Sequence, residues 1–152
     1  MLTSAAVISR EDSKYMEKRM LECRDFLAFI AHMRIQVGCF LRPVKELAAG
    51  FSSSALEQAG FVSYLESADS ILSAYRQCEA NLSLSEEEKS VLNTLFSSFG
   101  AGYLDDGMKL IESAYSGMEI LCGRLAEEKT KNTRLVTTLS VTLALGIIIF
   151  VI

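Results

Sequence analysis

The eighteen residues from Leu135 to Ile152 (LVTTLSVTLALGIIIFVI) carry no charge at all. A run of this length and apolarity belongs either in a large protein core or in a bilayer. At ~1.5 Å per residue it makes about 27 Å of helix, close to a hydrocarbon thickness of roughly 30 Å. A core helix in a small domain keeps a polar face. Here the polar residues are Thr137, Thr138, Ser140 and Thr142, whose hydroxyls can bond back to helix carbonyls. The closing IIIFVI would be aggregation-prone if left in water. The segment therefore predicts a C-terminal transmembrane anchor, with Leu135, Leu139, Leu143, Gly146 and Ile149 along it. Gly146 and the hydroxyl residues would permit close helix–helix approach in lipid.

Arg124, Lys129, Lys131 and Arg134 precede the run, opposed by Glu127 and Glu128. The positive-inside rule then places the N-terminal domain in the cytoplasm. With Ile152 as the last residue, the expected arrangement is tail-anchored and single-pass. The division is 1–134 as a cytoplasmic domain and 135–152 as the anchor. All 15 Lys and Arg and all 19 Asp and Glu fall in the first part. A net charge of −4 without a basic run gives no electrostatic footprint for nucleic acid. The opening MLTSAAVISR lacks the basic and long apolar regions of a signal peptide, which points to a reducing compartment.

Within 1–134 the apolar residues recur at helical spacing and no segment alternates with period two. A first helix is predicted from Ser9, with Asp12 completing a capping-box-like pattern. Its stripe is Met16, Met20, Cys23, Leu27, Ile30, Met33 and Val37, and Gly38 is its stop. Pro43 opens a short helix that Gly50 ends. Ser52 to Ser54 supply caps for a third helix, which Gly60 can break in its first turn. The strong part of that helix is Phe61, Tyr64, Leu65, Ala68, Ile71, Leu72, Tyr75 and Cys78. A fourth begins at Ser85, with Glu88 at N3 and Glu86 and Glu87 in the first turn, and runs to Gly100. In the last helix, Leu104, Met108, Ile111, Tyr115, Met118, Cys122 and Leu125 alternate gaps of four and three. That stripe suits packing on the domain's own helices, or a dimer seam. The expectation is an all-α bundle of about five helices, the last continuing into the membrane.

No motif supports an active site, and no cofactor or metal is expected. Gly100-Ala-Gly102 follows a helix, with the third glycine mis-spaced and no Walker lysine, so it is no phosphate cradle. Asp105 and Asp106 point about 100° apart on a helix, which separates them as an acid/base pair; they suit the start of the last helix. The one histidine, His32, has no partner set by motif. Cys23, Cys39, Cys78 and Cys122 lack metal-ligand spacing and read as reduced, buried small hydrophobes.

The order of parts resembles the stage III sporulation protein AB family of endospore-forming bacteria. The family's turn after the first helix is echoed by Arg42, Pro43, Val44, Glu46 and Leu47. Its Leu-Gly pattern before the last helix is matched by Leu95, Phe96, Phe99 and Gly100. Tyr103 and Gly107 stand where the family carries Asp and Gln, and MLTSAAVISR is too polar for the family's usual N-terminal hydrophobic segment. The resemblance implies a non-enzymatic part of the channel between mother cell and forespore, on the mother-cell side of the outer forespore membrane. It also implies a helical domain like the platform domains of type II secretion, docking on a secretion-type ATPase and other channel proteins, with homo-oligomerisation open. The rival readings are a tail-anchored adaptor or dimeric scaffold unrelated to sporulation, and a tethered hydrolase using His32 and a cysteine.

Overall fold

The computed structural model describes the backbone of residues 2–36, 46, 50–99 and 104–151, and the side chains of 11–36, 46, 50–99, 107–135 and 138. Among these residues there are six α-helices, one 3-10 turn and no strand, so the all-α class read from periodicity holds. The chain divides into two compact units, Met1–Cys122 and Gly123–Ile152.

Helix α1 spans Leu2–Ile35. It begins well before Ser9, because LTSAAVIS contains neither proline nor glycine and propagation through it costs little. The buried face is Cys23, Phe26, Phe29, Ile30 and Met33. Of the expected stripe Cys23, Ile30 and Met33 are buried, whereas Leu27, Met16 and Met20 are half-buried and Phe26 and Phe29 point inward beside it. Gly38 and Pro43 lie outside the described residues. Gly50 has φ 89°, the left-handed conformation a helix-ending glycine adopts.

Helices α2 (Ser54–Ala59), α3 (Phe61–Ser67) and α4 (Ile71–Cys78) replace the expected third helix. Ser53 caps α2, its Oγ accepting from Leu56 N at 3.1 Å. Gly60, at φ 88°, ends α2 and starts α3. The φ is one that other residues rarely adopt, and a Cβ there would sit 3.0 Å from Tyr64 Cε2, so the Tyr64 ring would also have to shift. The run from Phe61 to Cys78 is broken at Ala68, whose ψ is 154°. Ser70 then caps α4 by accepting from Ser73 N at 3.1 Å. Asp69 and Ser70 favour cap geometry over helix interior, and that preference overrides an apolar spacing continuous across the break.

A 3-10 turn, Glu79–Asn81, leads to the buried residues Leu82, Ser83 and Leu84 and then to helix α5 (Glu86–Ser98). The capping box at Ser85 is complete. Ser85 Oγ accepts from Glu88 N at 3.3 Å, and Ser85 N donates to Glu88 Oε2 at 2.7 Å. Helix α6 spans Leu104–Val151. Ile111, Met118 and Leu125 of its stripe are buried within the single chain, and so is Ala114 beside it; Tyr115 is half-buried. For Ile111 to Met118 the stripe therefore serves the domain's own core.

At the centre of the first unit is an aromatic cluster. Phe26 and Phe29 of α1 each lie 5.2 Å from Phe61, and Phe96 lies 5.4 Å from Tyr75. The two Phe61 contacts are edge-on, which suits the quadrupoles of the rings and adds about 0.5–1.5 kcal/mol per pair beyond area burial.

The reading of the cysteines as reduced thiols is corrected for two of them. Cys23 and Cys122 form a disulfide, with Cα atoms 6.0 Å apart. A bond across 99 positions depends on tertiary placement and has no signal in spacing. Cys78 is free and buried, as expected, and Cys39 lies outside the described residues.

Candidate functional site

Polar side chains inside a helical bundle are costly unless partnered, and here they gather where α1 meets the turn before α5. Glu22 and Glu88 are both 0 % exposed. Lys18, Arg19 and Glu22 occupy neighbouring turns of α1, while Glu88 is held at N3 of α5 by its capping role. Arg19 grips Glu88 with both prongs: Nη2 donates to Oε1 at 2.8 Å and Nε to Oε2 at 3.0 Å. Glu88 thus joins a helix cap to an interhelical ion pair.

Glu22 Oε2 accepts from Ser83 N at 2.6 Å. Its Oε1 has no hydrogen bond, and Lys18 Nζ lies 3.6 Å away as an ion-pair partner. Burial pushes the Glu22 carboxyl above the usual carboxylate range, and nearby Glu88 adds to the rise; the Ser83 amide and Lys18 oppose it. Two further bonds pin the same turn to α1: Tyr15 Oη donates to Ser83 O at 2.9 Å and Lys18 Nζ to Asn81 O at 3.0 Å. Asn81 Nδ2 donates to Ala59 O at 3.3 Å, tying in the end of α2. With both carboxylates out of solvent, the cluster fixes α1, the 79–85 turn and the start of α5 as one body. Sequence reasoning found Glu88 through its cap. It missed Arg19 and Glu22, although Glu22 sits beside Cys23 on the apolar side of α1 with Lys18 one turn before.

The other side chains weighed for chemistry are not brought together. His32 is half-buried, its Nε2 3.3 Å from Gln36 Nε2 and its ring 5.7 Å from that of Phe51. Cys78 donates from Sγ to Tyr75 O at 3.1 Å, and burial pushes its thiol up to about 12. A shallow depression lined by Ser70, Leu72, Ser73, Arg76 and Gln77 contains neither of them. Among the described residues no three His, Cys, Asp or Glu are grouped to hold a metal ion. Asp105 and Asp106 follow Leu104 in the first turn of α6, the place expected for them; their side chains lie outside the described residues.

Of the family-motif positions, Leu95 and Phe96 are buried in α5, and Phe99 is its half-buried C-cap. Glu46 is exposed, and Pro43 and Gly100 lie outside the described residues. Gly107 is buried. Arg124, Lys131 and Arg134 are exposed on α6 and Lys129 is half-buried. Among the described residues no helix is long and apolar enough to cross a membrane. The expected span lies largely outside the described side chains: Leu135 is 61 % exposed, while those of Leu139, Leu143, Gly146 and Ile149 are not among them.

The sequence profile of stage III sporulation protein AB matches residues 1–152, the whole chain. The chain belongs to the stage III sporulation protein AB family. It is therefore a stage III sporulation protein, and the resemblance drawn from Pro43, Glu46 and the Leu95–Gly100 segment is upheld across its full length. No curated protein and no solved structure matches the chain significantly. In this stage III sporulation protein AB chain, Tyr103 lies outside the described residues.

Proposed function

We propose that this protein is a non-enzymatic component of the mother cell–forespore channel, presenting its helical bundle to a secretion-type ATPase. The full-length family match carries the reading, since it supports a sporulation role for the entire chain. The mechanism is recognition between helical surfaces, and the latch of Arg19, Glu22 and Glu88 supports it by holding α1 and α5 in fixed relation. Residues 135–152 act as a single-pass anchor that keeps the bundle on the mother-cell side of the outer forespore membrane. Support for the anchor comes from the uncharged run, the preceding Arg124, Lys129, Lys131 and Arg134, and a helix that continues unbroken to Val151.

Deleting the gene in the source organism and counting heat-resistant spores tests the role. The count is expected to fall by several orders of magnitude, to return with the full chain, and to stay low with residues 1–134 alone. Normal spore counts in the deletion strain would overturn the role. Full rescue by 1–134 would overturn the need for the anchor.

A further inference from the structure

We propose that the Cys23–Cys122 disulfide is a reversible redox fastening that holds α6 to α1 at the end of the first compact unit. Three observations carry it. Cys122 is the last residue of that unit, and its bond reaches back 99 positions to the middle of α1. The fastening therefore closes nearly the whole bundle into one loop, the arrangement in which a cross-link restricts the open chain most. The two sulfurs also differ in setting: Cys23 is fully buried, whereas Cys122 is half-buried and offers the side from which a thiol can approach. As a thiol, Cys23 would still suit its fully buried place among core residues, so reduction does not by itself force the core apart. Finally, Cys78 is a spectator. Its thiol is buried, bonded to Tyr75 O and raised to about 12, leaving almost no thiolate to exchange with the bridge.

The step balances with a dithiol reductant. Its thiolate attacks the bridge, the Cys23–Cys122 bond breaks and a mixed disulfide forms. The reductant's second thiol then releases the protein as two thiols and leaves as its own disulfide. Two electrons and two protons pass from reductant to protein. In the reduced form the Ile111–Cys122 segment loses its covalent tie to α1 and opens more often. In a reducing compartment a cytosolic disulfide is of this transient kind. The inference concerns the bundle alone and stands whether or not residues 135–152 span a membrane.

The test uses the full chain, purified in air in mild detergent, with dithiothreitol as the reductant. Peptide mapping without reductant should recover Cys23 linked to Cys122. Hydrogen exchange in residues 111–122 should quicken at least about tenfold on reduction, as expected for a lowered cost of local opening. A C23A/C122A variant should exchange at the faster rate with or without dithiothreitol. Should that variant fail to fold, the wild-type comparison alone decides. Finding Cys23 and Cys122 as free thiols would overturn the proposal. So would a linked pair whose reduction leaves exchange in 111–122 unchanged.

Discussion

At the scale of single residues, Glu22 is the most exacting position in the bundle. It is a fully buried carboxylate with one oxygen on Ser83 N and the other lacking a hydrogen bond. Its raised pKa means that the folded state holds the proton more tightly than the unfolded chain. The sign follows by linkage: Glu22's contribution is fully present below the ordinary carboxylate pKa and is lost as pH rises through the raised value. A neutral Glu22→Gln variant has no such titration. Its melting temperature should gain on the wild type as pH rises from about 4.5, measured by circular dichroism melts across that range. A difference between the two proteins that stays constant with pH would refute the account. Position 22 also shows what spacing cannot reveal. Its side chain lies on the apolar side of α1, and the Ser83 amide, brought from 61 positions away, joins Lys18 in making burial of a carboxylate tolerable.

Elements are held in register here by polar bonds between a helix start and a helix middle. The capping box at Ser85 was legible because its two bonds join residues three apart, and such local chemistry is written in sequence. The Arg19 pair with the same Glu88 joins positions 69 apart and depends on how α1 and α5 pack. Removing it leaves a carboxylate with no exposure held only by its cap, a loss of about 3–5 kcal/mol for a broken buried pair. Arg19→Ala should therefore shift the urea midpoint sharply downward with little change in the slope. A shift under about 1 kcal/mol, the range of a surface ion pair, would show that water reaches Glu88. The break at Ala68–Ser70 belongs to this scale too. Apolar spacing runs through it without interruption, yet the Ser70 cap ends one helix and starts another.

For the molecule as a whole, the first compact unit has its own aromatic core, its own latch and its own cross-link, all within residues 1–122. Residues 1–134 should accordingly fold alone, giving a soluble protein with a strongly helical far-ultraviolet circular dichroism spectrum. A disordered or strand-rich spectrum would contradict this. The prediction is separable from the spore assay, because folding alone and acting in the cell require different parts of the chain.

The all-α class, the Ser85 start, the glycine at position 60 and the uncharged run at 135–152 were all legible in the sequence alone. Each rests on chemistry within a turn or two of chain, or on composition. Tertiary structure alone decided that Phe26 and Phe29 join Cys23, Ile30 and Met33 on the inner face of α1, because their rings meet those of Phe61, Tyr75 and Phe96. It also decided the partners of Glu22 and Glu88 and the pairing of Cys23 with Cys122. Those contacts join residues 61 to 99 positions apart, and no local periodicity carries information over that separation.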